Sequence, residues 1–139
     1  MTRVRISALV IVSLCGLAFS GPVSAHHSIQ AQFDINKTFS ISGTVAKIEF
    51  INPHSYLTVN VKDADGKTQK WAFEMAALAQ LRKAGLSRAD RGGLKAGDEL
   101  TVTALAARDG SNSGLAQEIK MADGRVFKLT ADAPDAPGR

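Results

Sequence analysis

Residues 38–61 read TFSISGTVAKIEFINPHSYLTVNV. Their two-residue alternation of apolar and polar side chains is the mark of half-buried strands. Phe39, Ile41, Gly43 and Val45 fall on one face, and Ile48 and Phe50 resume that face after a slip of one residue near Ala46-Lys47. A one-residue slip inside a long strand predicts a bulge, and Gly43 permits a sharp bend. A second strand then sets Leu57, Val59 and Val61 inward and Tyr56, Thr58 and Asn60 outward.

Outward from this stretch the alternation continues. Asp63-Ala64-Asp65-Gly66 turns the chain, and Trp71, Phe73 and Met75 alternate in a third strand. About Met75 to Ala84, rich in Ala and Leu, reads as the single helix, with Leu78 and Leu81 on one face and Gly85 placed to end it. Leu100, Val102 and Ala104 mark a fourth strand, Leu115 to Met121 a fifth, and Val126 to Leu129 closes the domain. Asp109 to Gly114 reads as a flexible loop explained by turn chemistry. Three strands, a helix and two or more strands is the order of an OB-type barrel, with a long bent first strand and a helix plugging one end. The expected fold is therefore all-β with one helix, a small OB-like antiparallel β-barrel. An open antiparallel sheet with one covering helix is the alternative.

The barrel is expected over residues 38–130, after a lead segment at 26–37 without clear periodicity and before a frayed tail at 131–139. Residues 1–25 have the three parts of a secretory signal peptide. Arg3 and Arg5 open it, Ile6 to Phe19 is mostly apolar, and Val23-Ser24-Ala25 offers small residues for cleavage. Its 14-residue apolar stretch falls short of the roughly 20 residues that span a bilayer. Leu14 is too bulky to precede an acylated Cys15. The chain is thus expected in the periplasm, with no membrane anchor once the signal is cleaved.

Removing 25 of the 139 residues leaves 114, enough for one hydrophobic core. The single Cys leaves with the signal, so no disulfide is available and stability must come from packing. The apolar fraction of 45% and charged fraction of 22% place the chain among globular proteins rather than disordered ones. The formal charge is +4, and +2 without Arg3 and Arg5. That is too small and too scattered for a nucleic-acid footprint.

The three histidines are His26, His27 and His54. Cleavage after Ala25 would give His26 a free α-amine beside its own imidazole. Two such nitrogens plus the ring of a distant histidine form a histidine brace, and this ligand set suits copper, which tops the divalent affinity order. His54, just after Pro53 at the mouth of the second strand, is the natural third ligand, and His27 is an alternative ligand or an outward neighbour. The opposing reading is a solvated His-His start and an Asn-Pro-His turn. The amino-terminal copper motif that needs His in third place is excluded, because Ser28 stands there. Met121, Met75, Asp34 and Glu49 are conceivable further ligands that no spacing selects; Asp34 fits a turn cap, and both Met fit packing.

Other chemistry is weaker. No Gly-x-Ser-x-Gly occurs, and no Gly-rich phosphate loop opens a helix. Glu74, a lone carboxylate near Trp71 and Phe73, reads as structural. Arg82, Lys83, Arg88, Arg91 and Lys95 read as a solvated face that complements the helix dipole.

Taken together, His26-His27-Ser28, Phe33-Asp34, Ser42-Gly43-Thr44-Val45, Asn52-Pro53-His54-Ser55, Trp71-Ala72-Phe73-Glu74, Gly97-Asp98 and Ala122-Asp123-Gly124-Arg125 resemble a family of small exported bacterial proteins catalogued as a domain of unknown function. The resemblance spans nearly all of His26 to Leu129. It implies export and a small β-barrel-like fold, and it implies no established activity. Arg91-Gly92-Gly93 departs from it as an apparent extension before Leu94.

Three functions compete. The first is metal carriage or protection through a copper ion on His26 and His54. The second is an envelope binding or scaffold module that holds a peptide, glycan or protein on the face of Tyr56, Thr58 and Asn60. The third, a copper oxygenase, ranks last because the chain has one Tyr and one Trp with which to build a platform for a polymeric substrate.

Overall fold

Strand β1 (Phe33–Glu49) runs for 17 residues, long enough to serve two neighbours. Its first part, through Thr44, pairs with β4 (Glu99–Ala107), and Thr44 to Glu49 pairs with β2 (Ser55–Lys62), both antiparallel. The expected bulge is present: the register with β2 skips from Val45 to Lys47, leaving Ala46 as the extra residue. This skip is why Phe39, Ile41, Val45, Ile48 and Phe50 can all pack on the core despite the break in alternation. The computed structural model describes residues 29–86 and 93–129. The expected signal peptide, His26, His27, Arg91-Gly92 and the 131–139 tail lie outside the described residues.

Strand β3 (Thr68–Met75) pairs antiparallel with β2 across the Asp63–Gly66 turn, where Asp63 Oδ1 accepts the amides of Asp65 and Lys67. β5 (Ser113–Met121) pairs antiparallel with β4, and its Ser113 to Leu115 lie parallel to Ala72 to Glu74 of β3. The ring β1-β2-β3-β5-β4 therefore closes as a five-stranded barrel. The expected small OB-like barrel is present, antiparallel in every pairing but one. Strand direction cannot alternate all the way round an odd ring, so at least one pair must be parallel, and here it is β3–β5. The short β6 (Val126–Lys128) does not join the ring. It covers the edge of β5 at Glu118 to Lys120.

The interior holds Leu57, Val59, Phe73, Met75, Val102 and Ile119, all fully buried, with Tyr56, Thr58 and Asn60 turned outward as expected. Met75 and Met121 pack in the core. Among the described residues, two short helices replace the one expected. α1 (Ile29–Gln32) is a single turn ahead of β1, which begins five residues before the alternation read from Thr38. α2 (Leu78–Lys83) is shorter than the Met75–Ala84 reading, because Met75 completes the β3 ladder.

Helix α2 ends as Gly85 foretold. Gly85 takes φ +84°, its amide donates to the Arg82 carbonyl, and the Leu86 amide donates to the Leu81 carbonyl. This pairing satisfies the last helical carbonyls and turns Leu86 back beside Leu81 in the core. The helix and the turn that ends it thereby contribute two buried leucines to the core.

The Asp109 to Gly114 stretch is more than a flexible loop. Asp109 Oδ1 accepts both the amide and the hydroxyl of Ser111, which holds the Asp109 carboxyl below its usual range. Asn112 donates from its side chain to Gln69 and accepts the Ala72 amide at its carbonyl. The connection thus helps to seat the parallel β3–β5 closure.

Candidate functional site

His54 stands one residue before β2, after the cis Asn52–Pro53 peptide, and is the one histidine among the described residues. Its position follows from the β2–β3 register. Ser55 opposes Met75 and Tyr56 opposes Glu74, so His54 lies just past the end of the ladder, diagonal to Glu74 on the outer face. The two side chains meet there, with His54 Nδ1 hydrogen-bonded to Glu74 Oε1. The His54 side chain is 40% exposed and that of Glu74 only 16%. The carboxylate is therefore the seated partner and the imidazole is the accessible one.

Ser55, between His54 and Tyr56, is fully buried, and its hydroxyl donates to the Ile51 carbonyl. That bond ties the Pro53 turn to the ladder and steadies the backbone that carries His54. Directly across the ladder from Glu74 stands Tyr56. Partial burial raises its phenol above the ordinary value of 10, and the nearby Glu74 charge raises it further. A raised value means the neutral phenol is favoured. The associated stability is present below pH 10 and is lost as pH climbs through the raised value.

Tyr56 is the only tyrosine in the chain, so ultraviolet titration of the phenolate reads it alone. The midpoint is expected above 10, and Glu74→Gln is expected to bring it only part of the way down, because burial is the larger cause. A full return to 10 in that variant would make the carboxylate charge, rather than burial, the main cause.

Glu74 also lines a cleft of about 560 Å³ with Gln32, Phe33, Ala72, Arg108 and Ser113. Helix α1 is fastened to this cleft. The Arg108 amide donates to the Gln32 carbonyl and Arg108 Nε donates to the Gln30 carbonyl, at 2.9 and 2.7 Å. The segment that leads back toward His27 and His26 therefore starts on the side of the barrel that carries Glu74. His26 and His27 themselves lie outside the described residues.

The other expected carboxylates have partners of their own, although Glu49 opposes Tyr56 and so lies next to the site. Asp34 caps a turn by accepting the Asn36 amide, and Glu49 pairs with Lys47. Among the described residues no three His, Cys, Asp or Glu side chains gather as a metal centre. A metal ion held by His54 would need its other ligands from outside the described residues. A second, larger cleft of about 730 Å³ opens on the outer face. It is lined by Ser42, Thr44, Asn60, Lys62, Thr101 and Lys120, and the Ser42 and Thr101 hydroxyls are bonded across it.

Reading the sequence missed Glu74 as a partner of His54. Counting the hairpin outward from the Asp63–Gly66 turn pairs Tyr56 with Glu74 and would have found it. Fold and site together define a small OB-like barrel carrying a histidine–carboxylate pair at the mouth of its second strand. The chain belongs to the Family of unknown function (DUF6152), whose model matches residues 15–117 and so takes in all three histidines. No curated protein matches the chain.

Proposed function

We propose that the protein is an exported, periplasmic β-barrel that binds a metal ion, copper first, for carriage or protection rather than turnover. The ligands are the amine and imidazole of His26 and the imidazole of His54, with His27 as the alternative. The observation that carries this reading is the fastening of α1 beside Glu74, the partner of His54. His26 is three residues ahead of Ile29, and a chain reaches at most about 3.5 Å per residue, so His26 has about 10 Å of reach from α1. His54 by itself is a weak site; an amine and a second imidazole supply the further nitrogen donors copper favours.

Copper(II) titrated into the secreted chain beginning at His26 is expected to bind one per chain. Binding should weaken as pH falls, since ligand nitrogens must shed protons to coordinate. Adding one residue before His26 parts the amine from its imidazole, and His54→Ala removes the third nitrogen. Each should weaken binding by at least about tenfold, roughly 1.4 kcal/mol. His27→Ala should matter less. Binding that survives both the extension and His54→Ala overturns the proposal, as does secretion of a chain that does not begin at His26.

The competing reading is an envelope binding module, and the hydroxyl-rich cleft between Lys62 and Lys120 favours it. It takes precedence if the secreted chain binds no copper.

A further inference from the structure

The contact between His54 and Glu74 involves one particular ring nitrogen, Nδ1. An ionised carboxylate carries acceptors only, so in this bond the proton belongs to Nδ1. A neutral imidazole holds a single N–H. Its other nitrogen, Nε2, then keeps a lone pair. The burial of the two partners sets the direction in which the control runs. Glu74 is well covered on β3, between β2 and the parallel segment of β5, whereas the ring of His54 is half in solvent. The fixed group orients the freer one.

Two features hold Glu74 in place, and a third leaves it to His54. Its backbone pairs with Tyr56 on one side and Leu115 on the other, so β3 is clamped from both edges at this residue. Ala72, two residues earlier on the same face, is anchored by its amide to the Asn112 carbonyl. Arg108, the one cation among the residues lining the Glu74 cleft, turns its Nε proton to the Gln30 carbonyl instead of to the carboxylate. Glu74 is thus left to meet His54.

We infer that Glu74 is the positioning residue of the site, fixing His54 in the Nδ1–H form so that Nε2 is the atom presented to a metal ion. The inference rests on the metal reading above for its consequence but not for its geometry. Glu74 touches no metal; it acts through His54. A carboxylate behind a ligating imidazole fixes its tautomer and orientation and raises its basicity, and losing such a partner lowers metal affinity by about 10- to 100-fold.

Long-range proton–nitrogen correlation spectra of the copper-free secreted chain read the tautomer directly, with His54→Ala assigning the His54 signals. The expected wild-type result is a protonated Nδ1 and a lone-pair Nε2. Glu74→Gln, which keeps the size of the side chain, should mix the two tautomers and lower copper(II) affinity about 10- to 100-fold. Glu49→Gln on the same face should change neither. A thermal midpoint close to wild type in Glu74→Gln identifies the effect as positioning rather than unfolding. A wild-type His54 protonated at Nε2 overturns the inference, as do equal tautomer populations in wild type and Glu74→Gln. A chain with the Glu74-dependent tautomer that takes up no copper upholds the role of Glu74 and overturns the metal reading.

Discussion

Phe73→Ala is expected to lower the unfolding free energy by about 3–5 kcal/mol, the usual cost of truncating a buried Phe. Phe73 is fully buried, opposes Leu57 across the β2–β3 ladder and lies with its ring centroid 6.2 Å from those of Phe39 and Trp71. The same residue pairs with Gly114 in the parallel contact that closes the barrel. Its loss therefore opens a cavity where β1, β3 and β5 converge, and those strands cannot collapse inward without breaking the closure. Urea denaturation followed by the fluorescence of Trp71, the only tryptophan, measures the effect. Phe73→Leu keeps most of the volume and should cost less than about 1.5 kcal/mol, so it remains measurable if the Ala variant does not fold. A loss under about 1 kcal/mol for Phe73→Ala would be that of a surface position and would contradict the core described above.

Gly43→Ala has the second largest expected effect, about 1–3 kcal/mol and near the top of that range. A Cβ on Gly43 would stand 2.3 Å from the Asn60 carbonyl oxygen and 2.7 Å from Val59 Cγ1. The first of these is backbone and cannot swing aside, so β1 and β2 would have to part where β1 passes from its β4 partner to its β2 partner. The neighbouring Ser42→Ala removes only an exposed hydroxyl contact with Thr101 and should cost less than about 1 kcal/mol. Equal midpoints for Gly43→Ala and Ser42→Ala would show that β1 does not bend tightly over β2.

The same residues show which features were legible in the sequence. The face shared by Phe39, Ile41 and Val45, the slip at Ala46 and the inward set of Leu57, Val59 and Val61 were all readable, because a strand with one buried face imposes a period of two. The stop at Gly85 was readable because a left-handed residue after a helix favours glycine. Strand and helix ends were less so. Met75 could be apolar helix or apolar strand by pattern, and the β2 ladder decided for strand.

The candidate site divides along the same line. His26, His27 and His54 stood out because histidine is scarce here and two of them follow the small residues Val23-Ser24-Ala25. Glu74 did not stand out. A carboxylate 20 residues from its histidine has no local mark, and only the register of β2 against β3 makes them neighbours.

By itself, then, the amino-acid sequence determined a mostly β barrel, its bent first strand, the helix after its third strand and the three histidines, since each rests on spacing within a few residues. Tertiary structure alone decided the parallel β3–β5 closure, the docking of α1 by Arg108 and the pairing of His54 with Glu74. Those depend on which distant strands meet and in what register. That choice is made by packing the whole core at once, and no short stretch of chain encodes it.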